Sequence, residues 1–158
     1  MSDGGHTAIL LSIGIGMIAL TMVINVSGIV IWLKFLARRL EHHTSHGTQP
    51  NLFGAILFTA VILLMIHIIE AFLWAVLYLL LPGRSGLENL HDAFYFSVIT
   101  ITTLGYGDIT LSEQWRLLSG LESMIGIIVF GMSTAMIYAV VQKCWMFTHK
   151  GKAGSAGD

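Results

Sequence analysis

"TITTLGYGDIT", residues 100–110, decides how the rest of the chain is read. Two glycines, Gly105 and Gly107, flank Tyr106; threonines crowd one side and Asp108 closes the other. Such a run makes neither a good helix nor a good strand, yet it lies between strongly apolar stretches. Of the 158 residues 55% are hydrophobic and only 11% charged, with a mean hydropathy of +0.79. Soluble domains carry about a quarter charged residues, so the solvent implied here is lipid.

Working outward, residues 8–33, 52–81 and 117–141 are each apolar and long enough to cross a bilayer as a helix, which takes roughly 20 residues. Residues 90–103 are apolar but too short to cross, and read as a re-entrant or buried helix leading into the glycine-rich run. The first apolar run is not a signal peptide: no basic residue precedes it, it is too long, and Lys34, Arg38 and Arg39 follow it. Lys and Arg gather on the cytoplasmic side of short loops. Lys34, Arg38 and Arg39 follow the first span and Lys143, Lys150 and Lys152 the third, which puts the N-terminus outside and the C-terminus inside. The length suits one domain. The single cysteine, Cys144, excludes an internal disulfide, and a net charge of -1 offers no surface for nucleic acid.

Backbone that is not helical survives at membrane depth only when protein buries it or when it lines a water-filled path. Glycine at 105 and 107 permits angles closed to other residues. Successive carbonyls of Thr103, Leu104, Gly105 and Tyr106 are thereby free to face one way, with the Thr103 hydroxyl adding an oxygen at one end. A ring of such carbonyls replaces the hydration shell of a potassium ion.

"TTLGYGD" resembles the selectivity filter of the potassium channel family, with Leu104 where valine is more usual. The resemblance spans residues 52–142. It implies an all-α integral membrane protein with three transmembrane helices, a re-entrant pore helix and a filter loop, assembled as a homotetramer, because four filter segments must surround one axis. K+ is then the permeant ligand at Thr103, Leu104, Gly105 and Tyr106, with Gly107 completing the strip and no other cofactor. The chain divides into an outer helix (1–37), a cytoplasmic linker (38–50), the pore domain (51–145) and a disordered cytoplasmic tail (146–158), with no separate regulatory domain. Membrane lipids surround a multi-pass protein of the cell membrane.

The resemblance also assigns supporting residues. "ENLHDAFYFSVIT" becomes the pore helix, its Glu88 and Asp92 capping the N-terminus. Where many members carry two tryptophans this chain has Tyr95 and Phe96; Tyr95 retains a phenol able to reach Asp108. Ile99 stands where some bacterial relatives have a glutamate. Gly126 matches the hinge glycine of the inner helix, with Gly131 further along, although small residues also serve close helix packing. Ile127, Phe130, Thr134 and Tyr138 share a helix face and are expected to line the cavity, with Tyr138 or Gln142 at the gate.

Three ionisable residues fall within the spans: His67, Glu70 and Glu122. His67 and Glu70, three apart, meet on one helix face, as a structural pair or as a proton-sensitive switch, since histidine titrates near neutral pH. Glu122 is expected to support the filter by bonding pore-helix hydroxyls such as Thr102. His42, His43 and His46 lack the companions of a metal site and read as solvated loop. Thr21, Asn25 and Gly28 form a packing stripe on the first span, which lacks the repeated arginines of a voltage sensor. A poorly selective cation channel, a non-conducting sensor or scaffold, and an intramembrane hydrolase are the rival readings; no zinc or serine–histidine spacing supports the last.

Overall fold

The computed structural model describes residues 3–45, 52–81 and 87–154. Its elements are α1 (Asp3–Ser45), α2 (Leu52–Leu80), α3 (Leu90–Ile101), a 3-10 turn (Glu113–Trp115) and α4 (Arg116–Gly154). Among the described residues no strand occurs. Three stretches are long and apolar enough to cross a membrane: Gly5–Arg39, Phe53–Leu80 and Glu113–Lys143. α3, of 12 residues, is not.

Two helices outrun the sequence reading. The linker expected from residue 38 begins instead inside α1, which continues through Ser45. The tail expected to be disordered from residue 146 is helical through Gly154. Extending an existing helix adds one hydrogen bond for each residue fixed, so good helix formers such as Ala37, Arg38, Arg39 and Leu40 carry α1 past the apolar run. His46, residues 82–86 and the last four residues lie outside the described residues.

The fold comprises two compact units, the first built of residues up to 25 with 66–130, the second of 26–65 with 131 onward. In the first, α1 packs along α4: the ring of His6 lies 5.6 Å from that of Trp115, and a Cβ on Gly14 would press on the Leu121 side chain. Both numbers rise together, so α1 and α4 run parallel. Tyr78 of α2 reaches Glu122 and His67 of α2 reaches Phe130, so α2 is antiparallel to both. Trp74, Tyr78, Leu118 and Val129 are fully enclosed in this core. With lipid as solvent, such contacts hold helices by close packing and interhelical hydrogen bonds rather than by escape from water. The Trp74 indole donates to Thr21 at 3.1 Å, and the Tyr78 ring meets Phe96 edge-on at 5.3 Å.

In the second unit Trp32 of α1 donates to Thr59 of α2 at 3.0 Å and packs its ring against Phe35 and Phe58. Of the stripe on α1, Thr21 and Asn25 are buried and Gly28 is partly so.

Candidate functional site

α3 starts at a cap that the sequence reading misplaced. Asn89 is the N-cap: its Oδ1 accepts from the Asp92 amide at 2.9 Å, and its Nδ2 donates to Asp92 Oδ2 at 2.9 Å. Glu88 stands ahead of the cap and is exposed. Asn is among the best N-cap residues, which is the signal that would have found it.

The other end of α3 is wound tightly into the glycine-rich strip. The Thr102 amide and hydroxyl both donate to the Val98 carbonyl, at 3.2 Å and 2.6 Å. The Thr103 amide donates to Thr100 O and the Gly105 amide to Ile99 O, each at 2.9 Å. The last carbonyls of the helix, otherwise orphaned, are thus used by the strip itself. Thr102 is spent on its own helix and does not reach Glu122, which corrects the partner expected from sequence.

Beyond the cap the backbone alternates. φ is +60° at Thr103, +54° at Gly105 and +77° at Gly107, while Leu104 and Tyr106 between them are not positive. Left-handed residues at every second position are what a backbone needs to turn its amides to one side and its carbonyls to the other. For glycine this is free; for a β-branched threonine it is an outlier, of the kind that persists where surrounding bonds over-determine it. Residues 102–108 form an unbroken exposed run, with Leu104 at 55% and Tyr106 at 67% exposure. An apolar and an aromatic side chain this open show that the strip has no covering layer among the described residues.

Behind the strip three helices meet on one carboxylate. Glu122 of α4 is fully buried, accepting from Ser97 of α3 at 2.5 Å and from Tyr78 of α2 at 2.5 Å. The sequence reading expected a pore-helix hydroxyl at Glu122, which Ser97 supplies in place of Thr102, and it missed Tyr78. Ser123 adds a bond to Thr100 O at 3.1 Å. A Cβ on Gly126 would overlap the Ile101 carbonyl oxygen and lie 2.9 Å from its carbon, so close approach is a role this glycine visibly has. A cavity of about 240 Å³ is lined by residues including Ile99, Thr100, Thr103, Ser119 and Ser123.

At the far end of the strip Tyr95 OH donates to Asp108 Oδ2 at 2.7 Å, the bond anticipated from sequence. The same bond, then slight burial and the nearby Asp108 charge, raise the Tyr95 phenol above its ordinary value near 10. A phenol so raised keeps its proton, and the brace, below the ordinary phenol range, and loses both as pH climbs through the raised value. Tyr95→Phe is expected to leave assembly intact but to accelerate the decay of current during sustained conduction several-fold; unchanged decay would show that Asp108 holds the strip without this bond.

The remaining candidates are distributed. His67 Nδ1 and Glu70 Oε2 are 2.9 Å apart, and the Phe130 ring lies 4.3 Å from that of His67. Ile127, Gly131, Thr134 and Tyr138 are exposed on α4, and Gln142 donates to Tyr138 OH at 2.7 Å. Among the described residues no group of three or more His, Cys, Asp or Glu is placed to hold a metal.

Three long apolar helices make this a multi-pass membrane protein. A family model described as "Ion channel" matches residues 62–143. The chain is 32% identical over 110 residues to the voltage-gated potassium channel Kch of Escherichia coli K12, covering 69% of this chain and 24% of that relative. It therefore spans about a quarter of the relative's length. No solved structure matches significantly. The chain belongs to the potassium channel pore family.

Proposed function

We propose that four copies of this chain assemble around an axis and conduct K+ passively and selectively through the strip 103–107. One observation carries the reading: the alternation of φ at Thr103, Gly105 and Gly107. It supplies the backbone in which neighbouring carbonyls face one way, and four such strips provide rings of oxygens in place of water. The exposure of Leu104 and Tyr106 in a single copy supports assembly, since neighbouring copies would cover them. The potassium channel named among its relatives supports the choice of ion. On this reading K+ sits at Thr103, Leu104, Gly105 and Tyr106, the N-terminus is outside and the C-terminus cytoplasmic in the cell membrane, and no bond is made or broken. α1 carries no Lys or Arg before Lys34, so no voltage dependence is proposed from that helix.

Purified protein in planar bilayers between K+ and Na+ solutions tests this. The reversal potential is expected to sit near the K+ equilibrium potential. A value near zero between equimolar K+ and Na+ solutions would leave a poorly selective cation channel, and silence of a verified tetramer would leave a scaffold.

A further inference from the structure

We propose that Tyr78 of α2 is a positioning residue for ion selection, acting on the strip through Glu122 and Ser97. The proposal rests on the channel reading for what the strip does. How Tyr78 reaches the strip follows from a continuous chain of hydrogen bonds.

Tyr78, Ser97 and Glu122 are each completely buried. They come from three helices, and the carboxylate gives one oxygen to each partner. Oε1 accepts from Ser97 of α3 and Oε2 from Tyr78 of α2. The terminal torsion of a glutamate is broad and roughly two-fold, so a bond at one oxygen alone leaves the carboxylate free to turn. Bonded at both oxygens, it points one way. The Tyr78 ring is itself fixed, lying edge-on to Phe96 at 5.3 Å and 6.1 Å from the ring of Trp74.

α3 is only 12 residues long and packs through apolar side chains among other apolar helices. Such surfaces slide where directional bonds do not stop them. α4 grips α3 on one face at two points, Ser97 through Glu122 and the Thr100 carbonyl through Ser123. Directly after Ser97 come Val98, Ile99 and Thr100, whose carbonyls accept from the amides of Thr102, Gly105 and Thr103 respectively. A turn or slide of α3 at Ser97 is therefore passed to the strip within one helical turn. Thr103 has a φ of +60°, which a β-branched residue keeps only while surrounding bonds enforce it. Without the Tyr78 hydroxyl, Oε2 loses its donor, the carboxylate turns, and the Ser97 anchor loosens. The carbonyls that select the ion then lose their fixed spacing.

Reversal potentials of the purified full chain in planar bilayers between K+ and Na+ give the permeability ratio that tests this. Tyr78→Phe keeps the ring and removes one donor from a buried charged acceptor, so the K+/Na+ ratio is expected to fall at least about tenfold. Ser97→Ala breaks the other arm and should do the same; it decides the question if Tyr78→Phe fails to assemble. An amide has one acceptor oxygen where a carboxylate has two. In a Glu122→Gln background, Tyr78→Phe should therefore change the ratio by less than about twofold. Thr21→Val is the control for general loosening. It deprives Trp74, one turn from Tyr78 on α2, of its acceptor and should leave the ratio as in wild type. Hydrogen exchange at the amides of Thr102, Thr103 and Gly105 needs no current. It should quicken at least about tenfold in Tyr78→Phe and Ser97→Ala and stay unchanged in Thr21→Val. Wild-type selectivity or wild-type exchange in Tyr78→Phe, equal losses in Thr21→Val, or an undiminished effect in the Glu122→Gln background would each overturn the proposal. A wild type that passes K+ and Na+ alike, or neither, would overturn the channel reading instead, and the exchange rates would still decide whether Tyr78 holds the strip.

Discussion

Gly105→Ala is expected to abolish selective K+ flux, reducing it by at least about a hundredfold. Gly105 has φ of +54° and nothing within 4 Å of the position a Cβ would take. The effect is therefore one of backbone angle and not of collision. An L-residue held in the left-handed region costs roughly 1–2 kcal/mol, and the proposed assembly repeats that cost in four strips, or roughly 4–8 kcal/mol in all. Since about 1.4 kcal/mol is a tenfold change in an equilibrium, the alternating arrangement becomes a rare state. Flux and reversal potential in liposomes and bilayers measure it. A D-alanine introduced at the same position by semisynthesis reverses the chirality argument and should retain selective flux. If L-alanine conducts like wild type, the positive φ at 105 is not what the pore depends on.

What the sequence discloses and what it withholds follows the range of the interactions. The spans were legible because lipid demands long unbroken apolar runs, and the strip because two glycines in such a setting have few other uses. Tyr95 and Asp108 are only 13 residues apart, and the family resemblance paired them. Glu122 bonds Tyr78 across 44 residues and Ser97 across 25. Those pairings depend on the relative rotation of three helices, which no periodicity in this uniformly apolar chain reveals. The same uniformity hid the helix ends: hydropathy marks where lipid stops, but α1 and α4 continue until propensity and capping stop them. Asn25 reads as one more small polar residue of a packing stripe; only the structure shows that, among the described residues, neither of its amide atoms has a hydrogen-bond partner.

Gly126→Ala separates two roles that the sequence left open for the inner helix, and the two differ in sign. If the glycine serves only to bend α4, alanine stiffens the helix and stabilises it by roughly 0.8–1 kcal/mol, and the folded channel should melt higher. The structure argues for the opposite result. The new Cβ would fall on the carbonyl oxygen of Ile101, 2.9 Å from its carbon and 3.2 Å from its Cα. These are backbone atoms, so no side chain can swing aside. Ile101 is 2% exposed, and Thr100 beside it is held by Ser123. The last turn of α3 must therefore move, and it is the turn whose carbonyls hold Thr103 and Gly105. Overpacking of this kind costs about 1–3 kcal/mol in each copy, enough to outweigh the gain in helix propensity. The expected outcome is a lower melting temperature, loss of tetramer in detergent, and K+ flux reduced at least about tenfold in what assembles. Gly131→Ala is the matched control, since nothing lies within 4 Å of its Cβ position. It gains the same propensity without the collision and should melt no lower than wild type. A Gly126→Ala protein that melts higher and gates more slowly would instead establish the bend.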